Sequence, residues 1–170
     1  MPANLHLALS TGPSPEASLV SLPIRVVLAD DHALMRRGLR LLLDDEQDLD
    51  VVAEASDLAA AELAVERLHP HVLVLDRRMP DGSSIELIRA LRARAPKTQI
   101  VVLTMEQSPA FARSVLVAGA IGFAVKELAD TELPLAVRAA ARGEEYVSPH
   151  VASRLAPASP SNPRGRLHRA

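Results

Sequence analysis

Five short apolar runs, rich in β-branched residues, recur through the middle of the chain and constrain its fold more than any other feature. They are residues 24–29, 51–53, 72–75, 100–103 and 122–125. Near-continuous apolar runs of this length are typical of parallel strands buried on both faces. The stretches between them carry Leu, Ile and Val at helical spacing. This alternation predicts an α/β domain with a parallel sheet and helices on both of its faces.

The composition sets the limits of the domain and excludes several classes of function. The chain has 170 residues, 48% of them hydrophobic, and no cysteine, which excludes disulfides and thiol chemistry. A net charge of -2 gives no overall signal for binding nucleic acid or an anionic membrane. Residues 1–22 and 157–170, rich in Pro and Ser, are predicted to be a flexible leader and a disordered tail. The leader lacks a basic signal-peptide start and no run is long enough to span a membrane, so a cytoplasmic protein is expected.

Polar residues stand where four of the five predicted strands end. Asp30 and Asp31 follow the first strand, Asp76 the third, Thr104 the fourth and Lys126 the fifth. Ligands of open parallel sheets bind at the carboxyl ends of the strands, so these side chains are expected to converge there. Each has an ordinary structural explanation when taken alone, as a helix cap, a turn residue or a solvated surface residue. Because all of them are expected at the same edge of the predicted sheet, a functional site is favoured over these separate structural explanations.

Three carboxylates crowded at one edge repel each other unless a cation neutralises them. Oxygen ligands without Cys or His suit a hard ion such as Mg²⁺. Lys126 adds a positive charge and Thr104 a hydroxyl donor, which together suit a phosphoryl group. A carboxylate in such a site can act as the nucleophile and form an acyl phosphate.

The chain resembles a response-regulator receiver domain over about three quarters of its length. The matching segments are VLADDH (27–32), VLDRRMPDG (74–82), VLTM (102–105) and GAIGFAVK (119–126). The later segment GEEYVSP (143–149) is similar to the NarL/FixJ subfamily, in which a LuxR-type helix-turn-helix domain usually follows. The resemblance implies a flavodoxin-like, doubly wound, three-layer α/β/α fold with five parallel strands in the order 2-1-3-4-5. It also implies a receiver domain over residues 23–145 and the start of a linker helix over residues 146–156.

The resemblance assigns a role to each residue of the predicted site. Asp76 would be the phosphorylated aspartate, contacted by Lys126, with Thr104 as the switch hydroxyl. The ligands of Mg²⁺ would be Asp31, Asp76, Asp30 through water, and the backbone carbonyl of Arg78. Phe123 stands where the family has a switching Tyr or Phe, and here it would act by packing alone.

Three departures from the family pattern carry further expectations. Ser84 stands where relatives often have Gly, and it is expected to strain or reshape the turn before the third helix. Met105 is bulkier than the Ala of many receivers and is expected to narrow access to the phosphoryl group. Arg78 and Glu106 are predicted to pair over the site and slow hydrolysis of the acyl phosphate, unless both side chains point into solvent.

The function that follows is a phosphoacceptor in a two-component system, not an enzyme, that acts in transcription regulation. A sensor histidine kinase would be the donor, and the face of the fourth helix, fifth strand and fifth helix would serve for homodimerisation. Two alternatives share the fold: an interaction module independent of phosphorylation, and a Mg²⁺-dependent phosphatase with an Asp nucleophile. The residues after Pro157 are too few for a helix-turn-helix domain, so no direct contact of this chain with nucleic acid or membrane is predicted.

Overall fold

The computed structural model describes residues 22–155, which form one three-layer α/β/α domain. The strands are β1 (Ile24–Ala29), β2 (Leu49–Ala55), β3 (Val72–Asp76), β4 (Arg78–Met79), β5 (Gly82–Ser83), β6 (Gln99–Thr104), β7 (Gly122–Val125) and β8 (Tyr146–Val147). The helices are α1 (Ala33–Asp44), α2 (Leu58–Leu68), α3 (Ser84–Arg94), α4 (Pro109–Ala118), α5 (Ala129–Ala141) and α6 (Pro149–Leu155), with a 3₁₀ turn at Lys126–Leu128. The predicted leader (1–22) and tail (157–170) lie outside the described residues, apart from Leu22.

The main sheet has six parallel strands in the order β2-β1-β3-β6-β7-β8. Its first five strands are those that the apolar runs predict, in the predicted order, so the doubly wound, flavodoxin-like fold class is confirmed. The prediction of five strands was one short. The added strand, β8, has two residues and pairs with the outer edge of β7, and two residues are too few to produce an apolar run. Strands β4 and β5 form a separate antiparallel pair directly after the third strand.

The strands are buried on both faces, which explains their uninterrupted apolar character. Along β1, Val27 and Ala29 pack with the core beneath α2, α3 and α4, while Val26 and Leu28 pack with the core beneath α1 and α5. The remaining central strands alternate in the same way. The core is therefore divided by the sheet into two aliphatic layers, and the fully buried Phe123 lies in the layer beneath α4.

Acidic side chains fix the start of α2 from two directions. The carboxylate of Asp57 accepts a hydrogen bond from the Ala60 N–H at 2.7 Å, as an N-cap does. Asp81, in the turn between β4 and β5, accepts from the N–H groups of Leu58 at 2.7 Å and Ala59 at 3.0 Å. These bonds lower the pKa of Asp81. The turn that follows the third strand is thereby tied to the neighbouring helix.

Helix α4 ends at Gly119, whose φ of 119° lies in the region that favours glycine. A Cβ at this position would lie 2.4 Å from Cγ of Arg92 on α3. Both the backbone conformation and the close approach of the Arg92 side chain therefore require a glycine here. Gly119 thus leaves room for the Arg92 side chain of α3 beside the end of α4.

The range predicted as a linker helix, residues 146–156, contains a strand before its helix, and the helix begins only at Pro149. The physical reason is that the N–H groups of Tyr146 and Ser148 pair with the carbonyls of Ile121 (3.1 Å) and Phe123 (2.8 Å), which holds this stretch extended. Helix α6 then packs against α4, and its Val151 is fully buried in the core. Its assignment as a linker stays a prediction.

Ser148, between β8 and α6, is fully buried and connects three elements. Its Oγ accepts a hydrogen bond from the Val125 N–H of β7 at 3.1 Å. Its O–H donates to the carboxylate of Glu132 on α5, which is also buried. The segment after α5 is thus fastened to the strand that carries Phe123.

Among residues 22–155, no helix combines the length and the apolar character that crossing a membrane requires.

Candidate functional site

The acidic cluster lies at the carboxyl ends of β1 and β3, as the sequence predicts. Asp30 follows β1 directly and Asp76 is the last residue of β3. Asp30 and Asp76 are only 1% and 5% exposed, whereas Asp31 is exposed. Each of these three residues and His32 offers one possible metal-ligand atom, and these four atoms lie within 4.8 Å of one another. The structure therefore brings the three predicted carboxylates together.

Lys126, directly after β7, provides a cation inside this cluster. Its buried Nζ lies 2.6 Å from Oδ2 of Asp30 and 2.9 Å from Oδ2 of Asp76. Asp30 and Asp76 share this single ammonium and Asp31 is a third carboxylate of the cluster, so the carboxylates outnumber the ammonium. Because its donors are carboxylate oxygens, the cluster fits a hard divalent cation such as Mg²⁺.

The electrostatic environment makes Asp76 more basic than an ordinary aspartate. Burial raises its pKa and the nearby charge of Asp30 adds to the rise, while the Lys126 ammonium and the Arg78 N–H oppose it. Burial lowers the pKa of Lys126, but its hydrogen bonds to Asp30 and Asp76 outweigh that effect and leave the pKa raised. A positively charged Lys126 thus holds in place a poorly hydrated carboxylate, which is suited to act as a nucleophile.

The two residues predicted to form a switch lie on β6 and β7, beside the cluster. Thr104 ends β6, is buried, and its Oγ1 accepts a hydrogen bond from the Glu106 N–H at 3.1 Å. Phe123 is fully buried on β7, and its ring meets that of Phe111 on α4 edge to face, with centroids 6.2 Å apart. The aromatic pair links the central sheet to α4.

The predicted pair between Arg78 and Glu106 is wrong, because Arg77 takes that place. The guanidinium of Arg77 binds the Glu106 carboxylate and lies over the ring of Phe111, with Cζ 4.5 Å from its centroid. Arg78 instead pairs through its backbone with Ser83 in the β4–β5 pair, and its side chain is exposed. Spacing along the chain could not show this, because the backbone turns immediately after Asp76.

Ser84 holds that turn. Its buried hydroxyl lies within hydrogen-bond distance of two backbone carbonyls, that of Asp76 at 3.0 Å and that of Arg77 at 2.5 Å. The sequence predicts only that Ser84 strains or reshapes the turn, and these hydrogen bonds to the Asp76 and Arg77 carbonyls were not predicted. A glycine has no hydroxyl to make it, so here the residue fixes the backbone that leads from the acceptor to the predicted carbonyl ligand of Arg78.

The position of His32 in the site was also not predicted from the sequence. Its N–H donates to Oδ1 of Asp30 at 2.8 Å, and its ring Nδ1 lies 2.8 Å from Oδ1 of Asp31. Its position directly after the two aspartates was the only available signal. With the half-exposed Met105, it lines a cavity of about 460 Å³. The other residues that line this cavity are Asp76, Arg77, Arg78, Thr104, Glu106 and Lys126.

Comparison with known proteins gives the family. The model of the response regulator receiver domain matches residues 26–138, so the chain belongs to that family. Response regulators of this family are phosphorylated by histidine kinases and can dimerise, and their receiver domains bind Mg²⁺ at an acidic pocket. Receiver domains of transcriptional regulators are generally not enzymes. The predicted family is confirmed, and the chain is the receiver domain of a two-component response regulator.

The similar regulators are of the NarL, DevR and DegU type. The chain is 39% identical over 132 residues to the DNA-binding transcriptional activator DevR/DosR of Mycobacterium tuberculosis, covering 78% of this chain and 61% of that protein. It is 38% identical over 125 residues to the oxygen regulatory protein NreC of Staphylococcus epidermidis, covering 73% of this chain and 57% of that one. The chain therefore spans about three fifths of the length of these relatives.

Solved structures agree with this assignment. A LuxR-family response regulator from Aurantimonas sp. SI85-9A1 is 33% identical with a TM-score of 0.75, covering 78% of this chain and 95% of that one. The receiver domain of the NarL regulator from Mycobacterium tuberculosis is 34% identical with a TM-score of 0.70, covering 73% of this chain and all of that one.

Proposed function

We propose that Asp76 accepts a phosphoryl group from a sensor histidine kinase. The observation that carries the proposal is the buried Asp76 carboxylate held 2.9 Å from the Lys126 ammonium, beside Asp30 and Asp31. An Oδ of Asp76 would attack phosphorus as the bond between phosphorus and the donor's imidazole nitrogen breaks. The freed imidazole then takes up a proton, and an acyl phosphate remains on Asp76. Lys126 lies where its charge can stabilise the transferring group.

The proposed ligands of Mg²⁺ are the carboxylates of Asp31 and Asp76, Asp30 through water, and the backbone carbonyl of Arg78. Bound there, the ion would neutralise negative charge on the acceptor and on the transferring phosphoryl group. This chain's own residues orient the acceptor: Ser84 fixes the backbone after Asp76, and the Lys126 ammonium holds its carboxylate.

The proposed output is a change in the face formed by α4, β7 and α5. A phosphoryl group offers new oxygen acceptors to the Thr104 hydroxyl, whose reorientation would alter the packing around Phe123. This face is the proposed surface for homodimerisation, in transcription regulation within the cytoplasm. Because β8 pairs with β7 and α6 packs on α4, the segment 146–155 already covers part of it. Use of this face therefore requires that segment to move or to take part.

The test is labelling of the chain by acetyl phosphate, followed by intact mass and by mapping of the modified residue. We expect one phosphoryl adduct on Asp76, which requires Mg²⁺ and disappears with a chelator or with Asp76→Asn. Asp50→Asn is a matched control, because it removes an exposed carboxylate from the edge strand β2, and it should label as the wild type does. An adduct that persists in Asp76→Asn, or no adduct in the wild type, would contradict the proposal.

A further inference from the structure

The residue next to the acceptor makes contacts that the proposed phosphorylation does not use. Arg77 binds the Glu106 carboxylate of the β6–α4 segment and lies over the ring of Phe111 on α4. Its side chain is about one-third exposed, and so is that of Glu106. The two charges and the aromatic face therefore meet at the surface, at the mouth of the site.

These contacts join the acceptor to the switch in two ways. Glu106, the ion-pair partner of Arg77, donates its N–H to the Thr104 hydroxyl. Phe111, the ring beneath the guanidinium, meets the buried Phe123 edge to face. Each predicted switch residue, Thr104 or Phe123, therefore contacts a residue that Arg77 in turn contacts.

A phosphoryl group on Asp76 would compete for Arg77. Asp76, Arg77 and Glu106 line the same cavity, so the added group would enter a space that Arg77 also borders. A phosphoryl group carries up to about two negative charges and three acceptor oxygens, whereas Glu106 offers one carboxylate. Arginine pairs well with phosphate oxygens, and the nearby Lys126 is already shared between Asp30 and Asp76.

We propose that Arg77 is a positioning residue that couples the state of Asp76 to helix α4. In the unmodified domain it holds Glu106 and Phe111 together, and this fixes the first turns of α4. On phosphorylation the guanidinium turns toward the phosphoryl oxygens, which frees Glu106, uncovers the Phe111 ring and loosens those turns. The inference rests on the proposed phosphorylation of Asp76.

Contact alone does not establish coupling, so the test must compare both states of the site. Hydrogen exchange of the α4 amides is measured with and without Mg²⁺ and excess acetyl phosphate, and the intact mass of each sample is recorded. In the wild type we expect exchange of the first turns of α4 to become about threefold to thirtyfold faster on modification, the range for losing a surface ion pair and a cation–π contact. Arg77→Gln should show the faster exchange before modification and little further change, and Arg77→Lys should restore part of the difference.

Arg67→Gln is the matched charge control, because it removes the same charge from an exposed side chain in the last turn of α2, outside the residues that line the site. It should label as the wild type does and keep the wild-type exchange of α4 in both states. Arg77→Gln exchanging like the wild type in both states, or Arg67→Gln changing α4 as much as Arg77→Gln, would overturn the inference. If Asp76 carries no adduct in the wild type, the proposed function fails and this inference fails with it. An adduct without the Arg77-dependent difference removes this inference alone.

Discussion

Ser148→Ala should destabilise the domain strongly, although it removes only one oxygen atom. Ser148 is fully buried, and its hydroxyl serves two partners that are also buried. The backbone N–H of Ser148, which pairs with the Phe123 carbonyl at 2.8 Å, is kept in the variant. The substitution therefore isolates the contribution of the hydroxyl.

The expected loss follows from the two groups left without a partner. The Val125 N–H becomes an unpaired buried donor, which costs about 1–3 kcal/mol. The Glu132 carboxylate loses its bond from the Ser148 hydroxyl, and hydrogen bonds to charged groups contribute about 1.5–3 kcal/mol. Together they predict a loss of roughly 2.5–6 kcal/mol, a large part of the ~5–15 kcal/mol typical of a folded domain.

Urea unfolding followed by far-ultraviolet circular dichroism measures this loss. Ser153→Ala on the following helix, α6, is the control, because Ser153 is exposed and its hydroxyl hydrogen-bonds to the His150 carbonyl, so its change should stay within about 0.5 kcal/mol. Adding Glu132→Leu to Ser148→Ala should recover part of the stability, since it removes the stranded carboxylate. The reasoning is refuted if Ser148→Ala unfolds at the same urea concentration as Ser153→Ala.

Two further predictions concern the turns of the fold. Asp81→Asn should lower stability at neutral pH and have little effect in acid. The Leu58 and Ala59 N–H groups depress the pKa of Asp81 in the folded protein, so its contribution to the free energy of unfolding is present above the ordinary aspartate pKa and is lost as pH falls through the folded pKa. Urea titrations at several pH values measure this contribution, and equal losses of stability at all of them would contradict the prediction. Gly119→Ala should destabilise by about 1–3 kcal/mol, because its φ is positive and the new Cβ would meet the Arg92 side chain; thermal unfolding measures the loss, and an unchanged midpoint would show that Arg92 moves aside at no cost.

The central part of the fold was predictable because its signal is local. A short apolar run, such as residues 72–75 of β3, identifies a strand buried on both faces without any information about residues distant in the chain. The site followed from the same reasoning, because parallel strands carry their carboxyl ends to one edge. Asp30, Asp76, Thr104 and Lys126 could therefore be grouped before any distance was known, while their chemical roles stay predictions.

The contacts that the sequence missed join residues far apart in the chain or depend on how the backbone turns. Asp81 reaches the start of α2, 23 residues away, and Ser148 reaches Glu132 on a different element. Nothing in the sequence distinguishes these polar residues from ordinary surface residues. The choice of Arg77 over Arg78 depends on the turn that Ser84 fixes, which spacing alone does not encode.

The two edges of the sheet are kept from pairing with other molecules in different ways. At one edge, β2 carries the exposed charges of Asp50 and Glu54, which disfavour the addition of another strand. At the other edge, the short strand β8 covers β7, which is wholly apolar and buried and whose outer N–H and C=O groups are satisfied by β8 and Ser148. Any movement of the segment 146–155 away from α4 would expose an uncharged strand edge. The domain in that state would be prone to self-association through β7, so such a movement would carry a cost in solubility as well as in stability.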